Sequence, residues 1–548
     1  MKQLLIALIM LWGTSEAAAA TWYVATNGSD ANSGSSESPL ATPAAAVERA
    51  QPFDVVYLRA GQYALTQTLS IRKPGLKIAT APGETTRAAL VAGTRMNSPA
   101  SVIAVYVSGV TIENLEIQGG AFYGIKLDDV DGAQTGQQII GNYIHHTGRD
   151  GIKAQRADDV VIQDNEIGPT GVRDSSNAEG IDMIGSIGAT IVGNYIHDIT
   201  TNGLYVKGGT RGAIVEKNLV VNTGYAGILL GSETDLQFIR GYANNYGDPS
   251  NSNPEGYEAL DSIARNNIVV NTGGAGVGTI AGFNVQFLNN TLVNVASSIH
   301  AGFRAAPNQH GTAPGGAVIF QNNVVVLAPS STRPLLYTFR FCGVTSDYNV
   351  WFSDGGPYNF VFDTAPAPCG TRTFSGLAGA TGWQSTGNDL HSKADDPKLD
   401  PSNLYRPLEE SPVLNAGLAG VVSDDYADIP RLPNGPVDIG AHETADTPPL
   451  APPTAPEALD ASAGGKDVVN LSWSDLATTE EGFRVERSAD GGRTFAVIAI
   501  VPSVTSNPVT YSDTSVAANT TYSYRVAAYN DAGLSPYSNV DTVKTLRK

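Results

Sequence analysis

The sequence predicts an all-β protein whose main part is a parallel β-helix, a solenoid in which each coil adds one strand to each of several sheets. An Asn followed by a short, mostly β-branched apolar segment recurs at intervals of 52, 24, 49, 23 and 33 residues, most of them one or two units of about 24. The markers are Asn142, Asn194, Asn218, Asn267, Asn290 and Asn323. A leucine-rich repeat would show a leucine lattice, and a propeller would need a period nearer ~40.

A second marker supports this prediction. A Gly followed by an apolar residue, then by a short alternating segment, occurs at Gly124, Gly151, Gly180, Gly203, Gly227 and Gly276. Short strands separated by turn-forming Gly and Asn, at a period in the low twenties, are typical of β coils. We expect asparagine side chains to stack at the turns between successive coils.

Composition excludes several classes of protein. The chain has 548 residues, enough for two to four domains, and 53 acidic against 34 basic residues give a net charge of −19. Charged residues make up only 16%, too few for a disordered polyelectrolyte. Such an acidic balance disfavours nucleic acids and anionic membrane surfaces as partners. An anionic partner would require a metal ion or a local basic patch.

The N-terminus predicts export. Residues Met1–Ala20 have a signal peptide pattern: a basic start, an apolar core at Leu4–Trp12 and the cleavage pattern Ala18–Ala20. We expect a secreted protein, extracellular or periplasmic, after cleavage near Ala20. No later run approaches ~20 apolar residues, so we expect no membrane span. In an exported chain we expect Cys342 and Cys369 to form a disulfide.

Both ends of the solenoid carry a family resemblance. Tyr23–Asp30 and the following residues resemble the entry segment of secreted right-handed parallel β-helix proteins, among them polysaccharide lyases of pectate lyase family 9 and of the chondroitinase B and alginate lyase type. That entry implies a helix that caps the open end, and Thr42 as N-cap with Pro43 at the first position fits it. Residues 397–440 resemble the closing segment. We expect the β-helix domain, with its N-terminal cap helix, over residues 21–445.

A second domain follows a spacer. Residues 446–456 are a Pro-rich linker, with five prolines between 447 and 456. Residues 457–548 resemble a fibronectin type III β-sandwich, with Trp473 in the core and Tyr522 as a tyrosine corner. We interpret this module as a spacer or a binding appendage, because it has no cluster of titratable groups.

Aligning the glycine markers predicts a cluster of side chains. Residues two and four positions after each glycine point away from the solenoid core, because side chains alternate along a strand. The alignment, together with the residues just before the glycines, places six polar side chains on one outer face over three coils, within about 10 Å along the axis. They are Asp150, Lys153, Glu179, Asp182, Tyr205 and Lys207.

The cluster fits β-elimination of a uronate polysaccharide. This reaction needs a cation that neutralises the substrate carboxylate, a base that removes the C5 proton and an acid that protonates the leaving oxygen. The carboxylates of Asp150, Glu179 and Asp182 suit Ca²⁺. Lys207 is the candidate base and Tyr205 the candidate acid. A lowered pKa of Lys207 is required for this role.

The resemblance adds to this assignment. Family 9 pectate lyases place a Lys base after an Asn-Gly pair beside a calcium site, and Asn202-Gly203 followed by Lys207 is similar. The chondroitinase B type implies an arginine that binds the substrate carboxylate, and Arg211 is the candidate. The resemblance therefore implies Ca²⁺ as cofactor and an acidic polysaccharide as partner.

Three functions remain open from sequence. The first is an exported monomeric lyase that cleaves a pectate- or alginate-like polymer. The second is a glycoside hydrolase that uses an acid and base pair from the same carboxylates. The third is a non-catalytic surface protein or adhesin. A lyase requires Lys207, a hydrolase requires the carboxylates only, and an adhesin requires neither.

Two further features have open interpretations. His145 and His197 occupy a repeated position, which is typical of an architectural role. The insertion from Gly231 to about Asp261 either walls a groove or is a surface loop. In the first case its tyrosines would stack on sugar rings; they are Tyr242, Tyr246 and Tyr257.

Overall fold

The computed structural model describes residues 19–130, 132–243, 250, 252–313, 315–341, 343–356, 358–363, 372–432, 435–444, 452–477, 480–504, 506–530 and 533–547. The expected signal peptide up to residue 18, Cys342, Cys369, Tyr246 and linker residues 445–451 lie outside the described residues. The chain forms two compact units, Met1–Thr444 and Ala445–Lys548.

Three long sheets of parallel strands run along the first unit. Sheet A consists of Thr21–Val24, Val55–Leu58, Lys77–Thr80, Thr111–Glu113, Gln138–Ile140, Val161–Gln163, Thr190–Val192, Ile214–Glu216, Ile263–Arg265, Val285–Leu288, Val318–Gln321 and Val344–Asp347. Sheet B consists of Gly61–Leu65, Ala88–Ala92, Leu115–Gln118, Tyr143–His145, Glu166–Ile167, Tyr195–Ile199, Leu219–Thr223, Ile268–Thr272, Thr291–Val295, Val324–Leu327 and Val350–Phe352. Sheet C consists of Leu69–Ile71, Ser101–Val105, Tyr123–Leu127, Ile152–Gln155, Ile181–Ile184, Leu204–Lys207, Ile228–Leu230, Val277–Ile280, Phe303–Ala306, Leu336–Phe339, Asn359–Asp363 and the antiparallel Arg372–Ser375.

Each coil contributes one strand to each sheet, which confirms the predicted parallel β-helix. The inward side chains of all three sheets form one apolar core along the axis. Short extra strands pair between the sheets at Gln134–Thr135 with Ala157–Asp158, and at Thr210–Arg211, Ala259–Leu260 and Gly282–Phe283.

A ladder of buried asparagines connects the coils. The backbone N–H and the side-chain amide of each asparagine donate to Oδ1 of the next at 2.8–3.2 Å. The ladder contains Asn142, Asn165, Asn194, Asn218, Asn267, Asn290, Asn323 and Asn349. It satisfies backbone donors at a turn that is closed to water.

The ladder shows how many coils the two longest intervals between the asparagine markers contain. The interval of 52 residues is two coils, because Asn165 occupies the intermediate position. The interval of 49 residues from Asn218 to Asn267 was expected to hold two units, but the two asparagines are direct neighbours and belong to successive coils. The extra length is the insertion that begins near Gly231.

A short helix lies at the N-terminal end of the solenoid, where the resemblance implied a cap. Helix α1 spans Pro43–Arg49, and the Thr42 side chain accepts a hydrogen bond from the Ala45 N–H at 3.2 Å. Ala46 and Val47 are buried against the end of the core. Short 3₁₀ turns occur at Leu236–Phe238, Trp383–Thr386 and Pro401–Asn403. Among the described residues, no helix is long and apolar enough to cross a membrane.

The segment that resembles a C-terminal closing segment, residues 397–440, was expected at the open end of the solenoid, but the structure places its described part elsewhere. The aromatic side chains of Phe360, Phe374 and Trp383 join the solenoid core at its C-terminal end. Residues 397–432 and 435–443, with the short strands Leu399–Asp400 and Arg406–Pro407, pack on the outer face of sheet B instead. The reason is that this face carries apolar side chains, which the segment buries; they are Ile268, Val270, Val324 and Val350.

The second unit is an antiparallel sandwich. One sheet contains Glu457–Ala463, Val469–Ser474 and Val509–Asp513, and the other contains Gly482–Ser488, Ala496–Pro502, Thr521–Asn530, Gly533–Leu534 and Asp541–Lys544. Trp473 is fully buried in its core. The Tyr522 hydroxyl accepts a hydrogen bond from the Ala517 N–H at 3.0 Å, so the tyrosine corner is confirmed.

Candidate functional site

The outer face of sheet C carries the predicted cluster. Lys153, Asp182 and Tyr205 are register partners on successive strands. Lys207 occupies the second outward row, in register with Gln155 and Ile184. Because equivalent positions of neighbouring coils are about 4.8 Å apart, side chains that are distant in sequence lie side by side.

Three carboxylates converge at the centre of this face. Each of Asp150, Glu179 and Asp182 offers an oxygen within 4.8 Å of the others, and all three residues are less than 5% exposed. Asp150 Oδ1 accepts the Glu179 N–H at 3.2 Å, and Thr201 donates to Glu179 Oε1 at 2.8 Å. We call these residues the carboxylate triad.

The triad has the donor set that a hard cation requires. Glu179 Oε2 and Asp182 Oδ1 are buried and have no hydrogen-bond partner among the described residues. A buried carboxylate oxygen without a partner is costly, and Ca²⁺ prefers such oxygen ligands. The three side chains therefore fit a calcium ion, with the remaining ligands to come from water or substrate.

Basic side chains border the triad. Lys153 forms an ion pair with Asp182 Oδ2. Burial, followed by the charge of Glu179, raises the pKa of Asp150. Burial lowers the pKa of Lys153, although the neighbouring carboxylates oppose this shift. Burial, which disfavours the charged form of each group, is the common cause.

Lys207 ends its strand beside Tyr205. Its Nζ donates to the Glu233 carbonyl at 3.2 Å and lies 4.4 Å from the centroid of the Tyr205 ring. Burial lowers the pKa of Lys207, while the carboxylates of Glu179 and Glu258 oppose the shift. Burial therefore shifts the pKa of Lys207 in the direction that a lysine base requires.

A cavity of about 360 Å³ opens onto Lys153 and Lys207. Tyr123, Lys153 and Lys207 form its floor and sides. The insertion after Gly231 supplies another wall through residues 233–235 and Phe238, as the groove interpretation expected.

Polar contacts hold the insertion in place. The Arg240 guanidinium donates to both carboxylate oxygens of Asp158, at 2.6 and 3.1 Å. Glu258 accepts the Gly208 N–H at 2.8 Å and the Thr234 N–H at 2.9 Å. These contacts attach the described part of the insertion to the end of the strand that carries Lys207. This part of the insertion therefore forms one wall of the cavity.

Two tyrosines differ in their access to the cavity. Tyr205 is 5% exposed and packs against Ala226 and Leu229, and it does not line the cavity. Tyr123 lines the cavity. Tyr123 was not among the residues predicted from sequence, although it precedes Gly124 just as Asp150 precedes its glycine.

Arg211 lies outside the cavity. Its guanidinium is 3.6 Å from the Asp261 carboxylate and donates to the Ser252 carbonyl at 3.3 Å. Its strand, Thr210–Arg211, belongs to a short sheet separate from sheet C. The structure therefore does not bring Arg211 to the carboxylate triad.

The repeated histidines and an insertion tyrosine have packing partners. His145 stacks on Tyr143 with centroids 4.1 Å apart, and the rings of His197 and Tyr195 stack at 4.5 Å. These pairs are in sheet B, not at the cavity. Tyr257 packs against Phe283 at 4.9 Å.

Comparison with family models agrees with this architecture. Residues 93–240 and 130–325 match the right handed beta helix region, and residues 454–544 match the fibronectin type III domain. The chain combines a right-handed β-helix with a fibronectin type III domain. No curated protein matched the sequence.

Several solved structures are similar to this β-helix protein. Pectate lyase Pel9A is 18% identical with a TM-score of 0.48, over 77% of this chain and 96% of that chain. An alginate lyase from Paenibacillus sp. is 20% identical with a TM-score of 0.36, over 48% and 90% of the two chains. A GH136 lacto-N-biosidase from Eubacterium ramulus is 14% identical with a TM-score of 0.36, over 61% and 64%.

Proposed function

We propose that this protein is an exported polysaccharide lyase that cleaves a uronate-containing polymer, pectate-like or alginate-like, by β-elimination. The observation that carries the proposal is the position of Lys207 at the wall of a cavity, with a pKa lowered by burial, beside the carboxylate triad. Lys207 and Tyr123 line the cavity, and the carboxylate triad borders it through the ion pair between Lys153 and Asp182. A base, an acid and a cation site are the three groups that the reaction requires.

The proposed reaction is a β-elimination at a uronate residue of the polymer. The neutral amine of Lys207 takes the C5 proton of the uronate, the C4–O bond breaks and a C4–C5 double bond forms. The leaving oxygen receives a proton from a tyrosine. Tyr205 as this donor stays a sequence-based prediction, and we propose Tyr123 because it lines the cavity.

The carboxylate triad is proposed to hold the cofactor. Ca²⁺ bound there would neutralise the substrate carboxylate and so increase the acidity of the C5 proton. Glu179 Oε2 and Asp182 Oδ1 are the oxygens that lack another partner among the described residues. Lys153 holds Asp182 in place through its ion pair.

Glycoside hydrolysis is the second candidate. The oxygens of the triad lie within 4.8 Å of one another, and retaining hydrolases place two carboxyl groups about 5 to 5.5 Å apart. However, all three carboxylates are buried, whereas the lysines line the cavity. The lyase explains both lysines, and the hydrolase explains neither.

One assay separates the two candidates. The mature protein is incubated with pectate, alginate or a glycosaminoglycan, with Ca²⁺ or with a chelator, and the ultraviolet absorbance of the unsaturated uronate is followed. We expect the absorbance to rise on one polymer and to be lost in Lys207→Ala. New reducing ends without new absorbance would establish hydrolysis and refute the lyase.

A further inference from the structure

A second groove lies on the same outer face of sheet C. Its volume is about 550 Å³, and it is lined by His300, Arg304, Arg333, Tyr337 and Phe339 among others. Arg304 occupies the same outward row as Tyr205, three strands further along the sheet. The strand spacing puts the two residues roughly 14 Å apart along the axis.

The groove presents two basic side chains, Arg304 and Arg333. In the part of the chain that the structure describes, neither Arg304 nor Arg333 forms an ion pair with a carboxylate. Arg304 Nε is buried and has no hydrogen-bond partner there, and Arg304 Nη1 contacts His300 Nε2 at 3.3 Å. None of the described residues that line the groove is acidic. The guanidinium groups are therefore available to an anion.

His300 adds a neutral ring to this arrangement. Burial, followed by the charges of Arg304 and Arg333, lowers its pKa to about 4. The histidine is uncharged at neutral pH, so its ring nitrogen accepts from the Arg304 guanidinium. The positive charge of the groove at pH 7 thus belongs to the two arginines.

Glu233 lines the first cavity and acts electrostatically on the groove. The Glu233 carbonyl accepts from Lys207, and its carboxylate accepts the Gln309 N–H at 3.0 Å. The charge of Glu233 also acts on Arg304. The two sites are therefore near enough along one face of the solenoid for a charge at the first to act on the second.

We propose that this groove is a subsite that binds a carboxylate of the same acidic polysaccharide, several sugars away from the bond that is cleaved. The planar guanidinium of arginine binds carboxylates in a bidentate manner. Tyr337 and Phe339 offer aromatic surface beside it. A chain of net charge −19 repels an acidic polymer as a whole, so a local basic site is needed to hold it. The inference rests on the proposed function for the identity of the polymer.

Binding without turnover tests the subsite. Full-length Lys207→Ala protein is run in native gels that contain pectate, alginate, chondroitin sulfate or neutral dextran, and the retardation gives a Kd for each polymer. The same measurement is made after adding Arg304→Gln and Arg333→Gln together, or Arg333→Gln alone. The matched control adds Arg95→Gln and Arg493→Gln, which remove the same charge from exposed sites outside the groove.

We expect a carboxylated polymer to retard the protein and neutral dextran not to retard it. Binding to the carboxylated polymer should be at least tenfold weaker in the variant with both Arg304 and Arg333 replaced, and unchanged in the matched control. Arg333 is exposed, so Arg333→Gln keeps the test valid if the double variant fails to fold. Equal binding by the groove variants and the control would overturn the subsite, as would no retardation by any acidic polymer or selective retardation by the sulfated one. Loss of binding in the groove variants, with no unsaturated product from the wild type, would retain the subsite and refute the lyase.

Discussion

Lys207 and Tyr205 stand two positions apart on one strand, with the ammonium nitrogen 4.4 Å from the ring centroid. Both side chains point away from the solenoid core, so the Tyr205 ring packs against the Lys207 amine. The Glu233 carbonyl receives its hydrogen bond at 3.2 Å. This arrangement fixes the amine at the cavity wall, where the proposed elimination requires a proton acceptor.

Replacement of Lys207 by alanine tests the base. We expect kcat on the cleaved polymer to fall roughly 10²- to 10⁴-fold, because general base catalysis contributes about that factor. Thermal unfolding of the variant should remain close to that of the wild type, since the half-buried amine donates a hydrogen bond only to the insertion segment among the described residues. Lys77→Ala, which removes a lysine paired with Glu113, is the matched control and should keep full activity. An active Lys207→Ala enzyme would contradict the assignment.

The pH profile tests the protonation state of Lys207. Only the neutral amine accepts a proton, so kcat/KM should rise with pH and level off above the pKa of this group. Burial lowers that pKa from the ordinary value of 10.5, so the rising limb should appear at lower pH than for a solvated lysine. A limb at the ordinary lysine pKa would show that the amine is not the base.

Calcium binding at the carboxylate triad predicts a change in stability. A ligand that binds only the folded protein at 100 times its Kd stabilises it by about 2.7 kcal/mol. We expect Ca²⁺ to raise the Tm of the wild type and a chelator to reverse the change, while Asp182→Asn loses most of the response. Glu409→Gln, at an exposed site, should respond like the wild type. An equal calcium response in Asp182→Asn would place the ion elsewhere.

The two tyrosines are separable by single substitutions. We expect Tyr123→Phe to lower kcat by about 10²-fold, because it removes a hydroxyl from the cavity. Tyr205→Phe keeps the ring beside Lys207 and removes a hydroxyl that is closed to the cavity, so its kcat should change less than that of Tyr123→Phe. Steady-state kinetics on the cleaved polymer compare them. The reverse order would make Tyr205 the donor.

Glu258 gives the fold a pH dependence of its own. Burial raises its pKa from 4.5 to about 7. Between about pH 4.5 and about pH 7 the folded state keeps a proton that the unfolded state has lost, so the free energy of unfolding falls as pH rises. The contribution is about 3 kcal/mol across this window. Thermal unfolding should show a flatter pH dependence in Glu258→Gln than in the wild type or in exposed Glu84→Gln.

Much of the solenoid could be predicted from sequence because its period is local. The marker glycines fixed the register of sheet C, and this register brought Lys153 beside Asp182. Asn165 was missed because its segment, Glu166–Ile167, is too short to show a β-branched pattern. The Asn218 to Asn267 interval was misjudged because an insertion has the length of a second coil.

The sequence by itself determined the two folds, the register and the face on which the six polar residues meet, since these follow from strand alternation and a repeating turn. Only the tertiary structure decided burial, which depends on packing between residues that are distant in sequence. It packs Tyr205 against Ala226 and Leu229 while Tyr123 lines the cavity, it lowers the pKa of Lys207 through burial, and it places Arg211 in a separate short sheet. It also placed residues 397–432 and 435–443 on sheet B, because apolar side chains there required a cover that no local pattern specifies.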